Sequence, residues 1–357
     1  MSGMGVHPVR KARRPRRARA GVVLAVALCC CAGCTAPAVR PVAVVSASGP
    51  PTPVAAAKPA PPLATTAAAR SCPAPVYTAA GYRNEVVVLM YHDFLQHPIP
   101  GDDITPASFA GQMALFVQDG YHFITMAQLA SFVAGRGSVP PNALLLTFDN
   151  GYVSQFRYAF PLLQHYGAPA TFFPIASWLY GVGVPAGVSP LSLAEFQAMT
   201  ATGLITVGTQ GWDLHRAVQV GPGRTEAASV GFSWNPRTGA SESLAGYRQR
   251  VAADLAQART KLAPLAGGPL TAFAYPFGDY TPALISVLHQ AGFRELFAAK
   301  LGWANLACQS PDVLYRLNVG SEGMTPAGAL NAVQTVARDT AADPGWRPPA
   351  QEVEVWR

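Results

Sequence analysis

The chain has 357 residues, half of them apolar, enough to bury a large core without covalent staples. Its formal charge of +7 suggests a polyanionic partner, but Arg10, Lys11, Arg13, Arg14, Arg16, Arg17 and Arg19 account for all of it. The remainder is formally neutral, so no basic stripe is left to track a phosphate backbone, and nucleic acid is not expected as a partner.

The basic cluster precedes an apolar run, GVVLAVALCCCAGC at 21–34. The run is too short to span a bilayer but has the length of a signal-peptide core. Its end, Cys31-Ala32-Gly33-Cys34, is similar to a bacterial lipobox, with Cys31 where Leu is usual. Residues 1–33 therefore read as a lipoprotein signal peptide and Cys34 as the lipidation site. The other readings are a plain secretory signal or an uncleaved anchor. The lipoprotein reading places the protein on the extracytoplasmic side of a bacterial cell membrane, held by its acyl chains. Cys29, Cys30 and Cys31 would leave with the signal, so Cys72 and Cys308 remain, either bridged in an oxidising compartment or as two free thiols.

Residues 34–82 are rich in Ala and Pro, with little charge and no apolar periodicity, and read as a tether. From 83 to 340, short apolar runs alternate with helix signals, ahead of a tail at 341–357. The strand-like runs are 86–92, 143–149, 170–175, 204–210, 271–277, 295–299 and 314–319. Thr105-Pro106, Thr125, Thr281-Pro282 and Thr325-Pro326 each open a helix, and Ser192 with Glu195 forms a capping box. A longer helix spans about 242–264, with Leu244, Tyr247, Val251, Leu255 and Ala258 on one stripe. Between the helix opened by Ser192 and this one, 218–241 lacks periodicity and reads as a loop, near the site mouth or as a plain surface insertion. Buried strands alternating with amphipathic helices over about 255 residues predict an α/β domain, a closed barrel rather than an open sheet.

Polar residues gather at the C-terminal ends of four of these strands: His92-Asp93, Asp149-Asn150, Gln210 through His215, and Pro276-Phe277-Gly278. In a βα barrel these ends converge on one face, where active sites form. Taken singly, Asp93 and Asp213 read as turn or cap residues.

The segments LLLTFDNGY (144–152), VGTQGWDLH (207–215) and FAYPFG (273–278) resemble successive motifs of polysaccharide deacetylases, the NodB-homology family or carbohydrate esterase family 4. VLMYHDF (88–94) and the closing YRLNV are similar to the poly-N-acetylglucosamine deacetylase branch. The resemblance implies a distorted (β/α)7 barrel. It also implies Asp149 as general base, His92 as general acid and the Phe277 backbone N–H as oxyanion donor. The family's three metal positions fall on Asn150, Gln210 and His215, so one ligand type is kept and two are replaced by amides. A divalent ion such as zinc would then be held more weakly, or not at all. Asp213 is a candidate substitute ligand, and Trp212, Trp234 and Tyr275 are candidate stacking surfaces for a sugar.

The function implied is hydrolysis of N-acetyl groups on an envelope or matrix polysaccharide. Its alternative is a metal-deficient pseudoenzyme that binds the glycan without cleaving it. A glycoside hydrolase would need two opposed carboxylates, and Asp149 has no evident partner for that role in the sequence.

Overall fold

The computed structural model describes residues 72–99, 101–299 and 302–345, and among these no helix is long and apolar enough to cross a membrane. The signal segment, Cys34 and most of the tether lie outside the described residues, as does 346–357.

Structure begins earlier than the boundary expected at 83. β1 (Val76–Thr78) and β2 (Gly81–Arg83) form an antiparallel pair. Tyr82 ties them to the barrel: its ring is fully buried, its hydroxyl donates to the Ala143 carbonyl at 2.8 Å, and its N–H donates to Asn142 Oδ1 at 2.8 Å. Gly81, at φ +109°, permits that approach, because a Cβ there would lie 2.0 Å from Asn142 Oδ1. A disulfide joins Cys72 to Cys308, with Cα atoms 5.6 Å apart across 236 residues of sequence.

β3 (Glu85–Tyr91) is buried along its whole length. A short parallel pair, β4 (Asp93–Phe94) and β5 (Asp103–Ile104), follows it. Then come α1 (Pro106–Gln118), β6 (His122–Phe123), α2 (Met126–Val133) and β7 (Ala143–Asn150). A turn of π-helix at Gln155–Ala159 leads into α3 (Phe160–Tyr166), then β8 (Ala170–Pro174), α4 (Leu193–Thr200) and β9 (Ile205–Val207). The helix-opening signals hold at atomic level. Thr105, Thr125 and Ser192 each accept a bond from the backbone N–H three residues on, and the Ser192–Glu195 capping box is complete.

Residues 218–241, expected as a loop, contain two hairpins: β10 (Ala217–Gly221) with β11 (Arg224–Ala227), and β12 (Trp234–Asn235) with β13 (Ala240–Ser241). Their order comes from outside the segment. Arg250 donates to the Ala228 and Gly231 carbonyls and pairs with Glu242 at 2.9 Å, contacts that local periodicity does not encode. Arg250 lies on α5 (Leu244–Leu262), whose stripe buries Tyr247, Val251, Leu255 and Ala258 but leaves Leu244 45 % exposed. β14 (Ala272–Ala274), α6 (Pro282–Gln290), β15 (Glu295–Phe297), β16 (Asn305–Leu306), β17 (Leu317–Asn318) and α7 (Pro326–Ala342) complete the domain.

Seven parallel strands close on themselves. β3 pairs β7, β7 pairs β8, and β8 pairs β9. A single bridge, Thr209 to Phe273, passes the ring to β14, which pairs β15. A second bridge, Phe297 to Leu314, leads on to β17, which returns to β3. The distortion expected of the barrel lies in these two thin joints.

Side chains alternate across a strand. Val86 and Val88 of β3 and Ala143 and Leu145 of β7 pack in one cluster with Phe173, Ala274 and Phe297. Val87, Leu89, Tyr91, Leu144, Leu146 and Phe148 pack in another with the surrounding helices. Continuing the first register by two residues at a time reaches Met90 and His92 on β3, and Thr147 and Asp149 on β7. The polar strand ends are therefore aimed inward by the same pleat that buries the valines.

Candidate active site

A pocket of about 500 Å³ opens at the C-terminal ends of the strands and gathers His92, Asp149, Asn150, Gln210, His215, Tyr275 and Phe277. These residues come from four separate stretches of sequence, and the ring closure described above brings them together.

Asp149, on the floor, is almost fully buried and its charge is matched. Arg316 donates from Nη1 to Oδ1 at 2.7 Å and from Nη2 to Oδ2 at 2.9 Å. The guanidinium is 1 % exposed, donates from Nε to the Ala298 carbonyl at 2.9 Å, and lies over the Phe173 ring. A bidentate pair of this kind is among the strongest side-chain contacts and fixes the carboxylate plane. His92 Nε2 sits 3.7 Å from Asp149 Oδ2. The buried Nδ1 of His92 has no hydrogen-bond partner among the described residues.

Gln155, in the π-helical turn, holds the ends of both strands. Its amide donates to the carbonyls of His92 at 2.9 Å and Asp149 at 2.7 Å. Isolated π turns recur at functional sites because they re-aim a side chain that an α-helix would carry past its target.

The two amides expected from the sequence at replaced ligand positions bond to each other. Gln210 Nε2 donates to Asn150 Oδ1 at 2.6 Å and to the Phe173 carbonyl at 3.2 Å. Asn150 Nδ2 donates to the Tyr152 hydroxyl at 3.2 Å. Asn150 has φ +69°, a left-handed conformation that Asn tolerates better than most residues. This donor set does not fit a metal cage. It supplies one imidazole and two neutral amides whose polar atoms face each other, and an amide nitrogen has no lone pair to offer. Among the described residues no group of three or more His, Cys, Asp and Glu side chains could hold a metal ion.

His215 reaches the pocket with its ring 4.1 Å from that of Phe277. Burial lowers its pKa from the usual value, which favours the neutral imidazole. Phe277 has φ +58° in the turn closed by the Gly278 N–H donating to the Tyr275 carbonyl, and its ring is 47 % exposed at the mouth. The loop carrying Gln210 and His215 is held from behind by Asp254 of α5. Asp254 Oδ1 accepts from the Trp212 N–H at 2.6 Å and Oδ2 from the Asp213 N–H at 2.8 Å.

Of the residues expected to stack on a sugar, two lie outside the pocket and the third is buried at its edge. Trp212 packs against Tyr180 at 5.7 Å, and neither it nor Trp234 lines the pocket. Tyr275 borders the pocket but is 1 % exposed, because it is stacked on Tyr280 and its hydroxyl donates to the Asp312 carbonyl at 2.7 Å. Asp213, the candidate substitute ligand, instead pairs with Arg216 at 2.8 Å and lies outside the lining. Asp93, read from the sequence as a turn or cap residue, instead opens β4 and accepts from the Phe94 N–H at 2.8 Å.

Sequence reasoning missed Arg316, Gln155, Tyr152, Asn318 and the pair Asp102 and Asp103, which line or support the pocket. Arg316 carried a usable signal: a lone arginine inside the apolar run LYRLNV must bury its charge against a carboxylate. The others gave no such signal: Gln155 lies in the π-helical turn, Asp103 on β5 and Asn318 on β17, and the sequence does not reveal their spatial neighbours.

Residues 136–296 match the family model described as polysaccharide deacetylase. A poly-beta-1,6-N-acetyl-D-glucosamine N-deacetylase of Escherichia coli (strain K12) is 26 % identical over 207 residues, which cover 54 % of this chain and 30 % of that protein. The chain thus spans about a third of that relative's length. Among solved structures, IcaB from Ammonifex degensii is 29 % identical with a TM-score of 0.56, covering 70 % of this chain and 97 % of that one. At lower identity, two others show the shared fold. A de-N-acetylase from Aggregatibacter actinomycetemcomitans has a TM-score of 0.61 at 22 % identity, over 70 % of this chain and 99 % of the other. The BpsB deacetylase domain from Bordetella bronchiseptica has 0.57 at 24 %, over 65 % and 95 %. Barrel, motif order and pocket agree with these likenesses: the chain carries a polysaccharide deacetylase domain of the NodB type, homologous to poly-beta-1,6-N-acetylglucosamine deacetylases.

Proposed function

We propose that this domain hydrolyses N-acetyl groups of an N-acetylated glycan, of the poly-N-acetylglucosamine class, in the pocket floored by Asp149. The observation that carries this reading is the carboxylate of Asp149 held rigid by Arg316 with His92 across from it at 3.7 Å. Each Asp149 oxygen keeps a lone pair beyond the one given to Arg316, so the carboxylate can accept a proton from water as that water attacks the acetyl carbonyl. A C–O bond forms as the amide C–N bond breaks. The developing oxyanion rests on the Phe277 backbone N–H, and His92 in its protonated form supplies the proton to the departing sugar amine. The products are acetate and a free amino sugar.

We also infer that the site works outside the cytoplasm. The basic cluster, the apolar run and Cys34 support an exported protein anchored to the bacterial cell membrane by lipid, and a disulfide between Cys72 and Cys308 suits an oxidising compartment.

Acetate release from β-1,6-linked N-acetylglucosamine oligomers tests the hydrolysis. Wild type should release acetate, with Asp149→Asn and His92→Ala each lowering the rate by about 100-fold or more. Release that is unchanged in Asp149→Asn would remove the assigned base. The bond between Asn150 and Gln210 favours a second reading, a glycan-binding domain without hydrolysis. That reading holds if oligomers bind and no acetate appears.

A further inference from the structure

We propose that the Asn150–Gln210 amide bridge takes the structural place of a resident metal, so that this pocket works without a divalent cation. The bridge is built rather than incidental. Gln210 is 1 % exposed, and one end of its amide faces two acceptors, Asn150 Oδ1 at 2.6 Å and the Phe173 carbonyl at 3.2 Å. Only the nitrogen end can satisfy both, so the orientation of the amide is dictated by its neighbours. Asn150 Oδ1 thereby accepts the Gln210 amide hydrogen, and Asn150 Nδ2 is directed to the Tyr152 hydroxyl.

The remaining donors do not make up the loss. The charge of Asp149 is already matched by Arg316, and Asp213 is paired with Arg216 outside the pocket. His215 contributes one imidazole. A single neutral nitrogen beside a guanidinium-bound carboxylate is a poor seat for a doubly charged ion, because the Arg316 charge repels it. A metal shared between the end of β7 and the segment after β9 would join those two strand ends. The amide bridge joins the same two points with a hydrogen bond, and being neutral it does not titrate. Occupation of the pocket should then be indifferent to chelators. This second consequence rests on the glycan reading above; the first, refusal of metal, does not.

The test uses the full chain, dialysed against EDTA and titrated calorimetrically with zinc chloride and, separately, with a β-1,6-linked N-acetylglucosamine oligomer. Wild type should take up no stoichiometric zinc, at an affinity at least about 100-fold below that of Asn150→Asp with Gln210→His, which regains the carboxylate and imidazole. Oligomer affinity should be the same in EDTA as in zinc. One equivalent of zinc bound by wild type and lost in His215→Ala overturns the proposal, and that comparison needs no folded double variant. Oligomer binding that appears only with zinc also overturns it. If the oligomer binds in neither buffer, the glycan reading fails, while the zinc titration still decides the bridge.

Discussion

Both oxygens of Asp149 are held by the guanidinium of Arg316, at 2.7 and 2.9 Å, in a pair shielded from solvent on nearly every side. The pair spans 167 residues of sequence and closes the ring between β7 and the run that ends in β17. Removing one partner leaves the other charge buried alone, which typically costs 3–5 kcal/mol. Arg316→Met should therefore lower thermal stability strongly and abolish acetate release. Arg316→Lys keeps the charge but loses the two-point grip, so it should keep more stability than activity. Thermal melts beside rate measurements separate the two effects. Equal losses in both variants would reduce Arg316 to a plain core contact.

Glu85 is a different kind of buried carboxyl. It is fully buried on β3, neither carboxyl oxygen has a hydrogen-bond partner among the described residues, and burial raises its pKa to about 8. The folded state thus keeps a proton that the unfolded chain has already released. Stability is unpenalised below the unfolded value near 4.5, falls as pH rises toward 8, and levels off above it. The total loss is on the order of 5 kcal/mol. Glu85→Gln should flatten that slope and raise the melting temperature at pH 8. A wild-type melting temperature that climbs between pH 5 and pH 8 in a way that depends on Glu85 would reverse the sign and refute this.

Asp254 links pH to the loop bearing Gln210 and His215. Burial raises its pKa to about 6, against the two backbone N–H bonds that oppose the shift. Below that pH the carboxyl takes up a proton, and one oxygen turns from acceptor to donor in front of an N–H. Substrate affinity should fall as pH drops through about 6, and Asp254→Asn should show the low-pH affinity at every pH. The readout is KM or binding affinity against pH, with kcat less affected. An unchanged profile in the variant would leave Asp254 no part in positioning the loop.

The bond between Cys72 and Cys308 closes a loop of 236 residues around the domain. Long loops gain most in chain-entropy terms, so reduction should cost about 2–5 kcal/mol. The variant Cys72→Ser with Cys308→Ser should melt at the temperature of reduced wild type. Identical melting of oxidised and reduced wild type would show that β1 and β2 are held by Tyr82 alone.

The elements were legible because local rules wrote them. Thr or Ser followed by Pro, or by Glu or Gln at the third place, satisfied the free N–H groups of helix starts, and unbroken apolar runs marked strands buried on both faces. The same rules misjudged 72–82, because the order of that stretch is imposed from outside, by Asn142, Ala143 and Cys308. They misjudged 218–241 for the same reason, since Arg250 supplies the bonds that settle it.

For the site, the sequence by itself determined which chemical groups stand at the strand ends: a carboxylate, two imidazoles and two amides where a metal cage would need charged or imidazole ligands. Only the tertiary structure decided what those groups do to one another. It set Arg316 on Asp149, turned Gln210 toward Asn150, and buried Tyr275 where an exposed ring was expected. The physical reason is that residue identity is local, whereas satisfaction of a buried charge or amide depends on whichever group the closed ring carries to within 3 Å of it.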